Sequence, residues 1–138
     1  MVGANILLVD SNRAHFENTL NVFSQIGIQY NLCFAKDDIQ AWLMLTGDKK
    51  LSPLPKIMLI DINAEGINGI KLIEKIRLDI DLKSTLIFVI SDINNDKNKR
   101  AALNLNIAGY INRSFEIEEM INFFSILNDY WNNIEFSS

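Results

Sequence analysis

Short, uninterrupted apolar segments recur along this chain, and they constrain its fold more than any other feature. Three of them, ILLV, IMLI and LIFVI, are rich in branched residues, which is typical of strands buried on both faces of a sheet. Two weaker segments, YNLCFA and GYIN, are predicted as further strands. Segments with the apolar spacing of helices follow each of these strands. This alternation predicts an α/β fold with five parallel strands and helices on both faces of the sheet.

The length and composition are those of an ordinary globular domain. We expect one domain over residues 1–138 and no output domain, because 138 residues suffice for a single core. The net charge of −4 is not that of a nucleic-acid-binding domain, which typically carries excess positive charge. No apolar run approaches the roughly 18 residues of a membrane span, and a single cysteine, Cys33, suits a reducing compartment. We therefore expect a cytoplasmic protein that binds neither nucleic acid nor membrane.

The second helical segment, KDDIQAWLMLTGD, begins with capping candidates and is strongly apolar. Asp37 is placed to cap its first turn. We expect Ile39, Trp42 and Leu43 to form its buried stripe.

The last helical segment, FEIEEMINFFSILNDYW, has more apolar residues than one buried face needs. A core stripe is filled by Ile117, Met120, Ile121, Phe124 and Leu127. The apolar residues left over are Phe123, Ile126, Tyr130 and Trp131. Because large exposed apolar patches mark interfaces, we expect this helix to join two copies of the chain in a homodimer.

Polar residues stand where the predicted strands end, which is where ligands bind in an open parallel sheet. These residues are Asp10, Ser11, Asp61, Ser91, Asp92, Asn112, Arg113 and Ser114. Two acids, a hydroxyl and a cation from separate segments fit phosphoryl transfer to a carboxylate. An aspartate can be the nucleophile, and Mg²⁺ is usually held by one or two carboxylates with phosphate and water. A hydroxyl and a cation can then stabilise the transferred group.

The ordered set of motifs resembles the receiver domain of two-component response regulators. It comprises ILLVD with Asp10, LIDINAEGINGIKLIEKIR with Asp61, IFVIS with Ser91, and AGYINRSF with Tyr110 and Arg113. The proline-containing loop KKLSPLP and the closing LNDYW are similar to the stand-alone receivers that partner phytochrome-type histidine kinases. The resemblance implies a flavodoxin-like, CheY-like sheet. It also implies a stand-alone response regulator of a histidine–aspartate phosphorelay, which signals by protein–protein interaction and is not an enzyme.

The resemblance also implies a role for each matching residue. Asp61 would accept the phosphoryl group. Asp10, Asp61 and the backbone carbonyl of Asn63 would hold Mg²⁺. Ser91 and Tyr110 would be the switch residues that move toward the phosphoryl group. The partners would be a sensor histidine kinase or phosphotransfer protein, and a downstream protein target.

Three departures from the family pattern weaken this assignment. Ser11 stands where the family has an acidic metal ligand, so Mg²⁺ binding should be weak. Asp92 replaces a small residue, and its charge would obstruct an incoming phosphoryl group. Arg113 replaces a lysine that contacts the phosphoryl oxygens, and its planar fork is not equivalent. A receiver-like module that acts without phosphorylation therefore remains open as the alternative.

The segment after the first strand, DSNRAHF, bears on two further assignments. It is not a glycine-rich phosphate loop, so a flavin or nucleotide binder is not expected. His15 in this segment has no metal-ligating neighbour along the chain, and we expect it to be a plain surface or boundary residue.

Overall fold

The structure of the chain is a computed structural model that describes residues 4–62, 64–91, 96–112 and 116–134. The strands are β1 (Asn5–Val9), β2 (Asn31–Ala35), β3 (Ile57–Asp61), β4 (Leu86–Ser91) and β5 (Gly109–Asn112). The helices are α1 (Arg13–Ile26), α2 (Asp38–Thr46), α3 (Gly69–Leu78), α4 (Asp96–Leu103) and α5 (Ile117–Asn132). No described helix is both long and apolar enough to cross a membrane.

All neighbouring strands run parallel, in the order β2-β1-β3-β4-β5. The predicted five-stranded α/β fold is therefore confirmed. Strand order reverses direction at β1, so the carboxyl ends of β1 and β3 flank the crevice where such sheets bind ligands. Val9 of β1 pairs with Ile60 of β3, and the next residues along these strands are Asp10 and Asp61. The sheet register alone thus brings the two acids side by side.

Each face of the sheet buries its own core, as the uninterrupted apolar strands predict. One core, on the side of α2, α3 and α4, includes Leu7, Val9, Met58, Ile60, Ile73 and Ile76. The other, on the side of α1 and α5, includes Ile6, Leu8, Leu59, Phe23, Phe124 and Leu127. Alternate residues of one strand enter opposite cores, which leaves only the strand ends for polar side chains.

The face that α2 buries differs from the predicted one. Asp37 does cap the helix, because its side chain accepts a hydrogen bond from the backbone N–H of Gln40 at 2.7 Å. The predicted burial of Ile39 and Leu43 is wrong, since these side chains are 69% and 59% exposed. Ala41 and Leu45 are the buried residues instead. Six of the nine residues of this helix are apolar and they lie on all sides of it, so the pattern could not select the buried face. The smaller Ala41 allows the close approach to the sheet.

The predicted exposure of Trp131 on α5 is also wrong, because its side chain is only 1% exposed. The indole packs edge-on against Tyr30 and Phe88, with ring centroids 5.7 and 5.9 Å away. A large ring at the end of the helix can reach back over the sheet, and burying it stabilises the fold by more than a rim contact would. Ile126 and Tyr130 remain 61% and 48% exposed.

Arg77, in the last turn of α3, makes an unusual set of contacts at the amino end of the sheet. Its guanidinium donates to the backbone carbonyls of Leu105, Lys83, Thr85 and Asn106 at 2.8–2.9 Å. Two of these carbonyls precede β4 and two precede β5. Burial lowers the pKa of Arg77 from its ordinary value. One side chain therefore ties α3 to the loops that feed two strands.

Candidate functional site

Two buried carboxylates lie at the carboxyl end of the sheet. Asp10 follows β1 and is fully buried, and Asp61 ends β3 with only 4% of its surface exposed. Ligand atoms of Asp10, His15 and Asp61 all lie within 4.8 Å of one another. Two carboxylates buried this close together are favourable only where a cation or hydrogen-bond donors compensate their charge. The arrangement is therefore suited to binding a positive ion.

Contacts on both carboxylate oxygens fix the orientation of Asp10. The backbone N–H of Asn12 donates to Oδ1 at 2.9 Å, and Nδ1 of His15 lies 2.8 Å from Oδ2. The backbone N–H of Asp10 donates to the carbonyl of Ala35, which extends the pairing with β2. Asp10 is thus held in place by the turn and by the first residues of α1.

His15 is half-buried, as expected of a boundary residue, but the prediction that it has no metal-ligating neighbour is wrong. Its side chain is only 16% exposed and lies against Asp10 and Asp61. Asn12 caps α1 through its side chain, which accepts from the backbone N–H of Ala14 at 2.9 Å. This sharp turn from strand to helix brings the third residue of α1 back over the strand end. The available signal was the capping residue Asn12, which fixes where the helix begins.

Ser91 lies at the same end of the sheet as Asp61. Asp61 pairs with Ile90 of β4, and the backbone N–H of Ile62 donates to the Ile90 carbonyl at 3.1 Å. Ser91 is the next residue along β4 and is fully buried. The predicted placement of its hydroxyl beside the acids agrees with this register, while its part in switching stays a prediction.

Tyr110 on β5 packs inward against the core on the side of α3 and α4. Nζ of Lys99 lies 5.6 Å from the centroid of its ring, a cation–π contact. Its hydroxyl oxygen is buried and has no hydrogen-bond partner within the described parts of the chain. The ring therefore occupies an inward position, and its movement during signalling stays a prediction.

The remaining predicted site residues divide into one that is described and three that are not. Ser11 is exposed directly after Asp10, so it offers a hydroxyl where a carboxylate would be expected. Asn63, Asp92 and Arg113 lie outside the described residues. Their predicted parts as metal ligand, obstruction and phosphoryl contact stay predictions.

The donor set at this edge fits a divalent cation. The Asp10 and Asp61 carboxylates are hard oxygen donors of the kind that Mg²⁺ and Mn²⁺ accept. The His15 imidazole adds a nitrogen donor on the same side. An ion here would neutralise charge that the described residues concentrate in a buried place.

Comparisons with known proteins agree with this fold. The sequence profile of the response regulator receiver domain matches residues 6–125. Response regulator Rcp1 of Synechocystis sp. (strain ATCC 27184 / PCC 6803 / Kazusa) is 23% identical over 128 residues, which cover 91% of this chain and 87% of Rcp1. A Mn²⁺-bound crystal structure of Rcp1 has a TM-score of 0.82 and 20% identity, with 98% of this chain and 99% of that chain covered.

Two further solved structures are similar along nearly their whole length. The phosphorylated cyanobacterial phytochrome response regulator RcpA gives a TM-score of 0.87 at 19% identity, with 99% of this chain and 100% of that chain covered. A two-component response regulator from Legionella pneumophila is 30% identical with a TM-score of 0.77, and the match covers 91% of this chain and 98% of that chain.

Proposed function

The chain belongs to the family of response regulator receiver domains of two-component signalling, and from this premise we propose that Asp61 accepts a phosphoryl group with the help of a bound Mg²⁺ ion. The observation that carries the proposal is the buried pair formed by Asp10 and Asp61 at the carboxyl end of the sheet. A single strand-end acid would suit a helix cap. Two that are buried together suit a site that must gather positive charge around an anionic reaction.

The chemistry assigns a distinct part to each described residue. A carboxylate oxygen of Asp61 forms a bond to phosphorus as the bond from phosphorus to the donor's histidine nitrogen breaks, and the electron pair of that bond stays on the nitrogen. The donor imidazole already carries a proton on its other nitrogen, so it leaves in its neutral form. The ion supplies charge neutralisation for the phosphoryl oxygens when it is bound. Asp10 would hold the ion, and the Ser91 hydroxyl would donate to one phosphoryl oxygen of the product.

The relatives support the choice of partner and cation. RcpA is a phosphorylated phytochrome response regulator, and Rcp1 binds Mn²⁺ in a crystal. We therefore propose a sensor histidine kinase of the phytochrome type, or a phosphotransfer protein, as the phosphoryl donor, and a further protein as the target. The free thiol of Cys33 suits a reducing compartment such as the cytoplasm.

Intact-mass analysis tests the phosphoacceptor directly. The protein is incubated with a small phosphodonor and Mg²⁺, and we expect the mass of one added phosphate. Asp61→Asn should abolish it, whereas the matched control Asp48→Asn, in an exposed loop, should not. A phosphate that survives Asp61→Asn would refute the assignment.

A receiver-like module that works without phosphorylation is the second candidate. It is favoured by the exposed Ser11, which adds no carboxylate beside Asp10. The sequence also places Asp92 directly after Ser91. If neither the native chain nor Asp92→Ala gains mass in the phosphodonor experiment, this second function replaces the first.

We also propose self-association through α5, now without Trp131. Ile126 and Tyr130 are exposed on this helix, and Phe123 is half-buried. Light scattering on the native chain and on Ile126→Glu with Tyr130→Glu tests the proposal, because the charges should convert a dimer to a monomer. A native chain that stays monomeric at high concentration contradicts it.

A further inference from the structure

The family resemblance gives a role to Asp10 and to Asp61, but it gives none to His15, the third residue of the acidic site. Nδ1 of the imidazole lies 2.8 Å from Oδ2 of Asp10, and both groups lie within 4.8 Å of a carboxylate oxygen of Asp61. The chain contains only one histidine. A nitrogen donor has therefore been placed at the only cluster of potential metal ligands among the described residues.

The spacing of these atoms suits two ligands of one ion. With metal–ligand bonds of about 2.1 Å, adjacent ligands of an octahedral ion lie about 3.0 Å apart, and opposite ligands lie about 4.2 Å apart. The separation of 2.8 Å between Nδ1 and Oδ2 is close to the first value. One ion could therefore contact both atoms with shifts of a few tenths of an ångström, while Asp61 completes a third position.

The start of α1 holds the imidazole in this place. The backbone N–H of His15 donates to the carbonyl of Asn12 at 3.0 Å, and the Thr19 hydroxyl donates to the carbonyl of His15 at 2.7 Å. The side chain of His15 is 16% exposed and that of Asp10 only 1%. The ring is therefore positioned by a capped helix and not by a mobile loop.

We propose that Nδ1 of His15 is a direct ligand of the cation at Asp10 and Asp61, and that it makes the site prefer Mn²⁺ or Co²⁺ to Mg²⁺. This inference rests on the proposed function for the presence of a cation. Imidazole nitrogen suits transition ions, whereas Mg²⁺ strongly prefers oxygen. Ser11 supplies no carboxylate, and His15, four residues further along the chain, provides a ligand atom in place of that carboxylate. The ring binds in its neutral form and keeps its remaining proton on Nε2.

A different part for His15 would be to orient Asp10 through a hydrogen bond without touching the ion. The two parts predict different ion selectivity. Loss of a direct nitrogen ligand weakens Mn²⁺ much more than Mg²⁺. Loss of an orienting contact weakens both ions by a similar factor, because both use the same Asp10 carboxylate.

Calorimetric titration of tag-free protein with MnCl₂ and with MgCl₂ separates these cases. The variant is His15→Asn, whose amide nitrogen lies near the position of Nδ1 and can still donate to Asp10. We expect Mn²⁺ affinity to fall roughly tenfold or more and Mg²⁺ affinity to fall less than about threefold. Equal losses for the two ions, or no loss for either, would overturn the proposal.

Electron spin echo spectroscopy of the Mn²⁺-loaded native chain gives an independent readout. Because the chain has one histidine, a coupling from imidazole nitrogen to Mn²⁺ can come only from His15. We expect this coupling, and its absence overturns the proposal even if His15→Asn fails to fold. The phosphodonor experiment tests the proposed function independently of this result. A chain that gains phosphate with Mg²⁺ but shows no imidazole coupling keeps its proposed function and loses only this inference.

Discussion

At the amino end of the sheet Arg77 donates hydrogen bonds to four main-chain carbonyls, whereas at the carboxyl end two carboxylates and an imidazole crowd within 4.8 Å. The guanidinium is partly buried, and the carboxylates are almost fully buried. The guanidinium is matched by acceptors from the protein's own backbone, so the amino end is complete by itself. The carboxylates have a neighbour of the same sign, so the carboxyl end gains from an added cation.

The contrast separates a structural use of buried charge from a functional one. Four good acceptors around one cation stabilise a single arrangement of loops. Two acids at the ends of neighbouring strands repel each other, and a bound cation would relieve that repulsion. Removal of the guanidinium and removal of one acid should therefore change stability in opposite directions.

The largest effect is expected at Arg77. Arg77→Met should lower the free energy of unfolding by about 2–4 kcal/mol, because four carbonyls lose a charged donor and those that stay buried remain unsatisfied. Arg77→Lys is the matched control, since it keeps the charge but not the planar fork, and it should recover less than half of the loss. Urea unfolding measures both. A loss below about 0.5 kcal/mol for Arg77→Met would mean that water replaces the guanidinium without cost.

A smaller effect of opposite sign is expected at Asp61. In a chelator, Asp61→Asn should raise the free energy of unfolding by about 1 kcal/mol. Two charges no more than 4.8 Å apart repel by about 3 kcal/mol or more at an effective dielectric of about 20, and part of this is offset by the hydrogen bonds of the native site.

With Mg²⁺ added, the native chain should become more stable than Asp61→Asn. The native chain gains stability from binding the ion, and the variant gains less. Thermal melts with and without Mg²⁺ measure the difference, and Asp48→Asn serves as the control for removal of an exposed charge. If Asp61→Asn is the less stable protein in the chelator as well, the two acids do not oppose each other in the native state.

The smallest effect is expected at Asn12, which caps α1 beside the acids. Asn12→Ala should lower the free energy of unfolding by about 0.5–1 kcal/mol, as for other exposed caps. Asn68→Ala is a matched control, because Asn68 caps α3 through an equivalent bond to the N–H of Lys71. A loss at Asn12 as large as that at Arg77 would show that both ends contribute equally to the fold.

The fold was accessible from the sequence because its strands enter two cores and leave no room for polar residues between their ends. The apolar run before Asp10 predicts β1, and the run before Asp61 predicts β3. In each case the acid indicates where the strand ends. Parallel pairing then places the acids together without any further information. Ser91 follows from the same rule, since it ends the neighbouring β4.

What the sequence could not supply depends on the direction in which side chains leave helices. His15 is five residues from Asp10, and only the turn at Asn12 brings the two into contact. On α2 the apolar residues surround the helix, so spacing could not choose Ala41 over Ile39. Trp131 is buried because its ring packs against Tyr30 and Phe88, which are far away in sequence. Contacts of this kind cannot be read from the spacing of apolar residues along α5.

The contacts of Arg77 have a mechanical consequence for β4 and β5. The guanidinium holds the loops that precede both strands to the end of α3. If β4 and β5 move, the ends held by Arg77 should move least, so displacement would grow with distance from the guanidinium. A push that begins beside Asp61 would therefore move Ser91 and the exit of β5 the most, and would leave the entry of β4 where it is. Arg77 would then convert a local event at the acids into a small rotation of β4 and β5 about their held ends.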